Sequence, residues 1–208
     1  MVKVKICGIT NLEDALASVE AGCDAVGFLF YRKSPRYINP EKAKMIIKQL
    51  PSNIIKIGVF VNAPEDTVRQ IAKSCQLDIL QFHGDESPEF CSKFGGYKII
   101  KVFRIKDKID LAKILRYRTF AYLFDTYVKS KIGGSGKRFN WGLMEKLNEI
   151  KKPVFLSGGL NEKNVRQAIE LMHPHWVDVS SAVEKRPGKK DHQKVKNFIR
   201  AARKGIQS

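Results

Sequence analysis

Two residues capable of proton transfer stand at the ends of short apolar runs in the sequence. Cys7 closes the run "VKVKIC", and Asp125 follows the run "AYLF". A thiol acts as a base only as the thiolate, and an unperturbed thiol has a pKa of about 8.5. A carboxylic acid donates a proton near neutral pH only where its surroundings favour the neutral form. The pair suits acid–base catalysis, although a cysteine is often only a small buried apolar residue and a nearby cation would also satisfy the carboxylate.

Two segments rich in glycine and serine have the composition of an anion site. The segment "SGG" contains Gly158 and Gly159, and the segment "VSSA" contains Ser180 and Ser181. Glycine lets backbone N–H groups approach a phosphate closely, and serine adds hydroxyl donors. Each segment alone is equally well explained as a turn, but the two together favour a phosphate site.

Three further side chains are candidates for contact with a substrate. Arg36, in "YRKSPRYIN", is either a bidentate partner for a carboxylate or one more surface cation. His83, in "QFHGDE", suits a substrate contact, a base or a hydrogen-bonded structural role, and Asp178 stands two residues before Ser180. We expect all three to contact the substrate. No second His or Cys stands at metal-ligand spacing, so we expect no metal site.

The chain that positions these residues alternates β-branched apolar runs with stretches of helical spacing. Eight such units predict an α/β fold, a (β/α)8 TIM barrel, as a single domain over residues 1–208. An open doubly wound sheet is the alternative, but no Gly-x-Gly-x-x-Gly follows the first strand. Strands are predicted at Val2–Cys7, Ala25–Phe30, Ile54–Val61, Asp78–His83, Lys98–Ile105, Ala121–Thr126, Pro153–Gly159 and Trp176–Ser181. In a barrel, catalytic groups lie at the C-terminal ends of the strands, and phosphate commonly binds after strands seven and eight, so both rules select the candidates above.

Local signals place several helix starts. Thr10 and Glu13 form a capping-box pattern, and Asn39–Pro40 and Ser87–Pro88 place a cap before a proline at the first helical position. The first helix is predicted to bury one apolar face by its i, i+3, i+4, i+7 spacing. That face consists of Leu12, Ala15, Leu16 and Val19.

The composition narrows the class of protein. The 208 residues are 43% hydrophobic, which is enough for a packed core. No stretch approaches the roughly 20 apolar residues of a membrane span, and "MVKVKICGIT" does not resemble a signal peptide, so we expect a soluble cytoplasmic protein. Four scattered cysteines argue against a disulfide framework or a zinc site.

The net charge of +17 would suit nucleic acid, an acidic membrane or an anionic substrate as a partner. The lysines are spread over the predicted helices, so we expect neither nucleic acid nor membrane as a partner.

Seven motifs, in order along the chain, resemble those of the phosphoribosylanthranilate isomerase family of tryptophan biosynthesis. They run from Val4 to about Lys204 and read "KICGIT", "SPRYI", "GVFV", "QFHGDE", "FDT…GGSGKRFNW", "LSGGLN" and "VDVSSAVEKRPGKKD". The resemblance implies a (β/α)8 barrel and an Amadori rearrangement that needs no cofactor. In that reaction N-(5-phosphoribosyl)anthranilate becomes 1-(2-carboxyphenylamino)-1-deoxyribulose 5-phosphate, the third step of tryptophan synthesis from chorismate.

The resemblance also implies a role for each matching residue. Cys7 matches the base of the family, Asp125 matches its acid, and Arg36 matches the arginine that holds the anthranilate carboxylate. The phosphate ligands of the family match Gly158, Gly159, Ser180 and Ser181.

Two positions depart from the wording of the family, and one of them lies in a long loop. Asn140 stands where the family usually has aspartate, and Ala182 stands where it usually has glycine, which restricts the backbone if that glycine uses a positive φ.

The loop after Asp125 is predicted to be a mobile lid that excludes water from the acid. Its hinge would be Gly133, Gly134 and Gly136, its anchor Phe139 and Trp141, and shortening Lys129–Gly136 is expected to lower kcat and raise KM together.

Two other functions stay open at this point. A nucleic-acid-binding barrel would bind DNA or RNA with a steep dependence on salt. Another sugar-phosphate barrel enzyme, such as a bifunctional isomerase, would turn over a different aminoaldose phosphate. Monomer and homodimer are both plausible for this fold.

Overall fold

A computed structural model of the chain describes residues 1–105, 110–126 and 150–204. Within these ranges, eight parallel strands close a barrel in which each strand pairs with the next and the last pairs with the first. The strands are β1 (Lys3–Cys7), β2 (Ala25–Leu29), β3 (Ile55–Phe60), β4 (Ile79–Phe82), β5 (Lys98–Ile105), β6 (Ala121–Thr126), β7 (Val154–Ser157) and β8 (Trp176–Val179). The predicted (β/α)8 barrel is confirmed, and the open sheet is excluded.

Seven helices alternate with the strands in the described part of the chain. They are α1 (Leu12–Glu20), α2 (Pro40–Ile47), α3 (Glu65–Ser74), α4 (Pro88–Ser92), α5 (Leu111–Leu115), α6 (Val165–Met172) and α7 (His192–Arg203). None of these helices is long and apolar enough to cross a membrane. The predicted helix after the sixth strand lies outside the described residues, as do the predicted lid, its hinge and anchor residues, and Asn140. The single domain over residues 1–208 therefore stays a prediction.

The core has two layers because side chains alternate between the two faces of each strand. Inside the barrel, apolar side chains such as Ile57, Ile100 and Leu123 pack together, and the ring of Phe155 stacks on that of Trp176 with centroids 4.8 Å apart. A larger cluster lies between the outer faces of the strands and the helices. The barrel interior is thus filled by apolar residues, and its polar inward residues lie towards the C-terminal ends of the strands.

The start of α1 differs from its prediction. The side chain of Asn11, rather than Thr10, caps the helix, because Asn11 Oδ1 accepts a hydrogen bond of 2.9 Å from the backbone N–H of Asp14. The hydroxyl of Thr10 instead donates to the carbonyl of Gly188. The capping-box prediction was therefore wrong, whereas Asn39 and Ser87 cap α2 and α4 as predicted.

The predicted buried face of α1 was only partly right. Ala15 is fully buried, but Leu16 is 41% exposed. The helix instead buries Asp14 and Ser18, since Asp14 Oδ2 accepts a hydrogen bond of 2.7 Å from the backbone N–H of Lys190. A polar contact with the C-terminal part of the chain therefore sets which side of α1 faces inward.

That C-terminal part contains a hairpin that the sequence analysis did not predict. The antiparallel strands β9 (Glu184–Arg186) and β10 (Lys189–Lys190) follow a 3₁₀ turn at Ser181–Val183. The turn contains Ala182, which is not among the described non-glycine residues with a positive φ. Alanine at this position is therefore free of the left-handed backbone strain that would arise if the glycine usual in the family had a positive φ.

Candidate active site

A cavity of about 520 Å³ lies at the C-terminal ends of the barrel strands. It brings the two proton-transfer candidates, the candidate cation and the two predicted anion-binding segments into one chamber. All the site residues that the sequence predicts line this cavity, namely Cys7, Arg36, His83, Asp125, Gly158, Gly159, Asp178, Ser180 and Ser181. Their placement fits the prediction, and their individual roles remain predictions.

Cys7 is a half-buried thiol at the end of β1. Gly27 pairs with it on β2, and a Cβ at Gly27 would lie 2.8 Å from Cys7 Sγ, so the thiol needs a glycine at this position. Burial raises the pKa of the Cys7 thiol, Lys5 and Lys190 lower it, and Asp178 raises it. The net pKa lies above the ordinary value, and the thiolate therefore depends on the two lysines.

Lys5 forms a buried ion pair one layer below Cys7. Lys5 and Asp178 are partners in the β1–β8 register, and Lys5 Nζ donates to Asp178 Oδ1 over 2.9 Å. Burial alone lowers the pKa of Lys5, but the charges of Asp178 and Cys7 more than offset it, so the pKa is raised and Lys5 stays charged. One oxygen of Asp178 is thus committed to Lys5, and the predicted contact of Asp178 with substrate stays a prediction.

Arg36 is held by a carboxylate on the unpredicted hairpin. Arg36 Nε lies 2.9 Å from Glu184 Oε1, and Arg36 Nη2 lies 2.7 Å from Glu184 Oε2. Lys190 is fully buried, and its Nζ donates to Glu184 Oε1 over 2.9 Å and to the carbonyl of Ser180 over 3.2 Å. A guanidinium has five N–H donors, so Arg36 keeps its Nη1 edge for a second carboxylate.

Sequence reasoning missed Glu184 and Lys190. Both belong to a surface-like run of charges, and nothing in their types separates them from the rest of the 38 cations and 21 acids of the chain. The one signal available was the Pro187-Gly188 dipeptide, which marks a turn and would have indicated a hairpin around it. A hairpin prediction would have brought the charges before and after the turn together.

The first of the two predicted anion-binding segments has a backbone that suits close approach to an anion. Gly158 and Gly159 adopt φ of 91° and 66°, which a residue with a side chain rarely does. Ser180 Oγ is a buried atom that has no hydrogen-bond partner within the described ranges. A buried hydroxyl without a partner costs free energy, and an anion bound between β7 and β8 would remove that cost.

Asp125, near the end of β6, faces His83, which follows β4. His83 Nε2 lies 3.4 Å from Asp125 Oδ2, and both side chains are partly exposed. The amide nitrogen of Gln81 lies 3.5 Å from His83 Nδ1. An amide that donates to Nδ1 places the ring proton of the neutral imidazole on Nε2, where it points at Asp125.

A second buried ion pair supports the loop that carries His83. Lys101 Nζ lies 2.7 Å from Glu86 Oε2 and donates to the carbonyl of Gly84 over 2.7 Å. Glu86 Oε1 in turn accepts from the backbone N–H of Asn62 over 2.8 Å. The sequence analysis did not identify this pair, which holds the loop that follows β4 in place.

No group of three or more His, Cys, Asp or Glu side chains that could hold a metal ion occurs among residues 1–105, 110–126 and 150–204. The expectations that the protein needs neither a metal nor a cofactor stay predictions.

Comparison with known proteins assigns the chain to a family. The family model of N-(5'phosphoribosyl)anthranilate (PRA) isomerase matches residues 4–201. The chain belongs to the phosphoribosylanthranilate isomerase family. It is 52% identical over 204 residues to the N-(5'-phosphoribosyl)anthranilate isomerase of Thermotoga neapolitana, which covers 98% of this chain and 99% of that relative.

Solved structures of phosphoribosylanthranilate isomerases have the same fold. The crystal structure from Thermotoga maritima superposes with a TM-score of 0.89 at 49% identity and covers 97% of this chain and 98% of that one. A phosphoribosyl anthranilate isomerase in complex with reduced 1-(o-carboxyphenylamino)-1-deoxyribulose 5-phosphate gives a TM-score of 0.87 at 46% identity, with the same coverage. The family resemblance recognised in the sequence is thus confirmed.

Proposed function

We propose that this protein catalyses the Amadori rearrangement of N-(5'-phosphoribosyl)anthranilate in tryptophan biosynthesis, with Asp125 as the general acid and Cys7 as the general base. The observation that carries the proposal is the cavity itself, because Cys7 and Asp125 enter one chamber from β1 and β6. The membership of the chain in the phosphoribosylanthranilate isomerase family supports the choice of substrate.

The substrate has an anionic group at each end, and the cavity has a suitable partner for each. The phosphate would bind the segments after β7 and β8, where Gly158 and Gly159 allow close backbone approach and Ser180 offers its hydroxyl. The anthranilate carboxylate would bind the Nη1 edge of Arg36. The sugar carbons would then lie between the two anchors, over Cys7.

In the first step Asp125 donates its proton to the ribose ring oxygen. The C1'–O bond breaks, and the lone pair of the anthranilate nitrogen forms a C1'=N double bond, which leaves a protonated Schiff base. The carboxylate of Asp125 that results faces His83 Nε2 at 3.4 Å, and an N–H donor there stabilises the new negative charge.

In the second step the thiolate of Cys7 removes the proton from C2'. The electron pair of the C2'–H bond forms a C1'=C2' double bond, and the iminium becomes an enolamine. The enol O–H proton is then lost and a proton adds to C1', which gives the ketone. C1' is reduced as C2' is oxidised, so the reaction needs no external oxidant or reductant.

Two buried cations near Cys7 favour this role, because Lys5 and Lys190 lower the pKa of its thiol. Their charges are matched by the buried carboxylates Asp178 and Glu184. Arg36, whose side chain is 23% exposed, adds a further positive charge at the cavity and leaves an edge for the substrate carboxylate.

A direct assay tests the proposal. The protein is mixed with N-(5'-phosphoribosyl)anthranilate, and the loss of anthranilate-type fluorescence is followed; we expect rapid loss without added metal or cofactor. Turnover of a different aminoaldose phosphate in place of this substrate, or binding to nucleic acid with no turnover, would reject the proposal. Cytoplasmic location, and monomer or homodimer as the oligomeric state, stay predictions.

A further inference from the structure

Gln81 is a buried polar residue on the floor of the active-site cavity, and the proposed reaction gives it no role. It lies on β4 between the apolar floor residues and His83, and it is 1% exposed. Its neighbours in the cavity floor include Leu29 and Val59, and Val59 is its register partner on β3. Gln81 Oε1 has no hydrogen-bond partner among the described residues.

An unpaired buried amide oxygen weakens the fold, and a side chain that served only packing would avoid it. A buried acceptor without a partner loses its hydrogen bonds to water and gains none in return. The neighbouring floor positions are aliphatic, and methionine has nearly the shape of glutamine without its polar end. The amide at this position therefore points to a partner that arrives from the cavity.

The other end of the amide fixes its orientation. Gln81 Nε2 lies 3.5 Å from His83 Nδ1, and the far side of that ring faces Asp125. With its nitrogen turned towards His83, the amide of Gln81 has a buried oxygen at the cavity wall that lacks a partner among the described residues. In the closed strand order β4 lies opposite β8, after which one predicted anion-binding segment follows, so a group between the two anionic ends of the substrate is the better candidate for that partner.

We propose that Gln81 binds a secondary hydroxyl of the sugar chain of the substrate, with Gln81 Oε1 accepting the hydroxyl proton. The assignment rests on the proposed function, because it places the sugar carbons between the two anion sites. A hydroxyl suits the position since it is neutral, donates a hydrogen bond and also accepts one. Gln81 is thereby a binding residue that selects hydroxylated substrates over deoxy analogues.

Gln81→Met tests the assignment, with Gln49→Met on the exposed surface as the matched control. The probes are reduced 1-(o-carboxyphenylamino)-1-deoxyribulose 5-phosphate, termed here the reduced analogue, and inorganic phosphate, both titrated by calorimetry. We expect Gln81→Met to raise the Kd of the reduced analogue about tenfold, as loss of one hydrogen bond does, and to leave phosphate binding unchanged. We also expect its Tm to equal or exceed that of the unsubstituted protein, since an unpaired buried group is removed.

A ligand-side experiment covers the case in which the variant does not fold. Versions of the reduced analogue that lack one hydroxyl at a time are titrated against the unsubstituted protein. One of these deoxy versions should bind about tenfold more weakly than the complete analogue. The affinity of Gln81→Met for that version should be no lower than the affinity of the unsubstituted protein for it.

The outcomes separate this assignment from the proposed function. If the unsubstituted protein binds the reduced analogue and turns over the substrate, but Gln81→Met binds the analogue equally well, the assignment alone is wrong. A lowered Tm with unchanged affinity would likewise show a purely structural role. If the unsubstituted protein neither binds the analogue nor turns over the substrate, the proposed function fails and the assignment fails with it.

Discussion

Lys5 Nζ lies 2.9 Å from Asp178 Oδ1, and both side chains are buried one layer below Cys7. The register of β1 against β8 creates this contact, since Lys5 and Asp178 are direct partners across the closing seam of the barrel. The pair acts on Cys7 in two opposite ways, because Lys5 lowers the pKa of the thiol and Asp178 raises it. The closure of the barrel therefore sets the electrostatic environment of the proposed base.

The two members of the pair should shift the pH dependence of activity in opposite directions. The proposed base acts only when deprotonated, so kcat/KM rises as the pH rises through the pKa of Cys7. Lys5→Met removes a cation that lowers this pKa, and the rise should move to higher pH. Asp178→Asn removes an anion that raises it, and the rise should move to lower pH. If the pH profiles of kcat/KM for both variants coincide with that of the unsubstituted protein, Cys7 is not the titrating base.

The same pair should show strong coupling in stability. Removal of one partner of a buried ion pair leaves an unpaired charge and costs about 3–5 kcal/mol of unfolding free energy, whereas removal of both costs much less. Lys5→Met and Asp178→Asn should each lower the free energy of unfolding, measured in urea, and the double variant should recover most of the loss. Additive losses would mean that the two charges do not depend on each other.

The fold and the mouth of the active site follow from the sequence because they rest on local patterns. Continuous apolar runs predict the strands, and the rule that barrel chemistry lies at strand ends then selects Cys7 and Asp125. Glu184 could not be found this way, since its partner Arg36 lies far from it along the chain, and Lys190 meets Glu184 through a hairpin that these patterns do not predict. The exposure of Leu16 has the same origin, because a long-range contact decides which face of α1 is buried.

Gln81 shows a different limit of the sequence. It lies within a strand rather than at its end, in a run that reads as apolar, so the strand-end rule passes over it. What distinguishes it is an acceptor that finds no partner in the described ranges, a property of the assembled barrel that no pattern in the sequence expresses.

Glu184 should act on substrate binding through Arg36. Glu184→Gln weakens the bidentate contact that orients the guanidinium, so we expect KM to rise about tenfold with a smaller change in kcat. Arg36→Ala should likewise show its defect mainly in KM. Glu13→Gln is the control, since Glu13 pairs with Lys189 at the exposed surface and should leave both constants unchanged. A normal KM in Glu184→Gln and Arg36→Ala would contradict the carboxylate clamp.

The division of labour between Cys7 and Asp125 is the central claim, and kinetics with a separate binding measurement test it most directly. Cys7→Ser and Asp125→Asn are compared with the control Asp66→Asn, whose side chain lies exposed on α3. We expect each active-site variant to lose about 10²–10⁴-fold in kcat, the typical contribution of a proton-transfer group, while the reduced analogue still binds in calorimetry. Near-normal kcat in either variant, with the analogue bound, would contradict the role assigned to that residue.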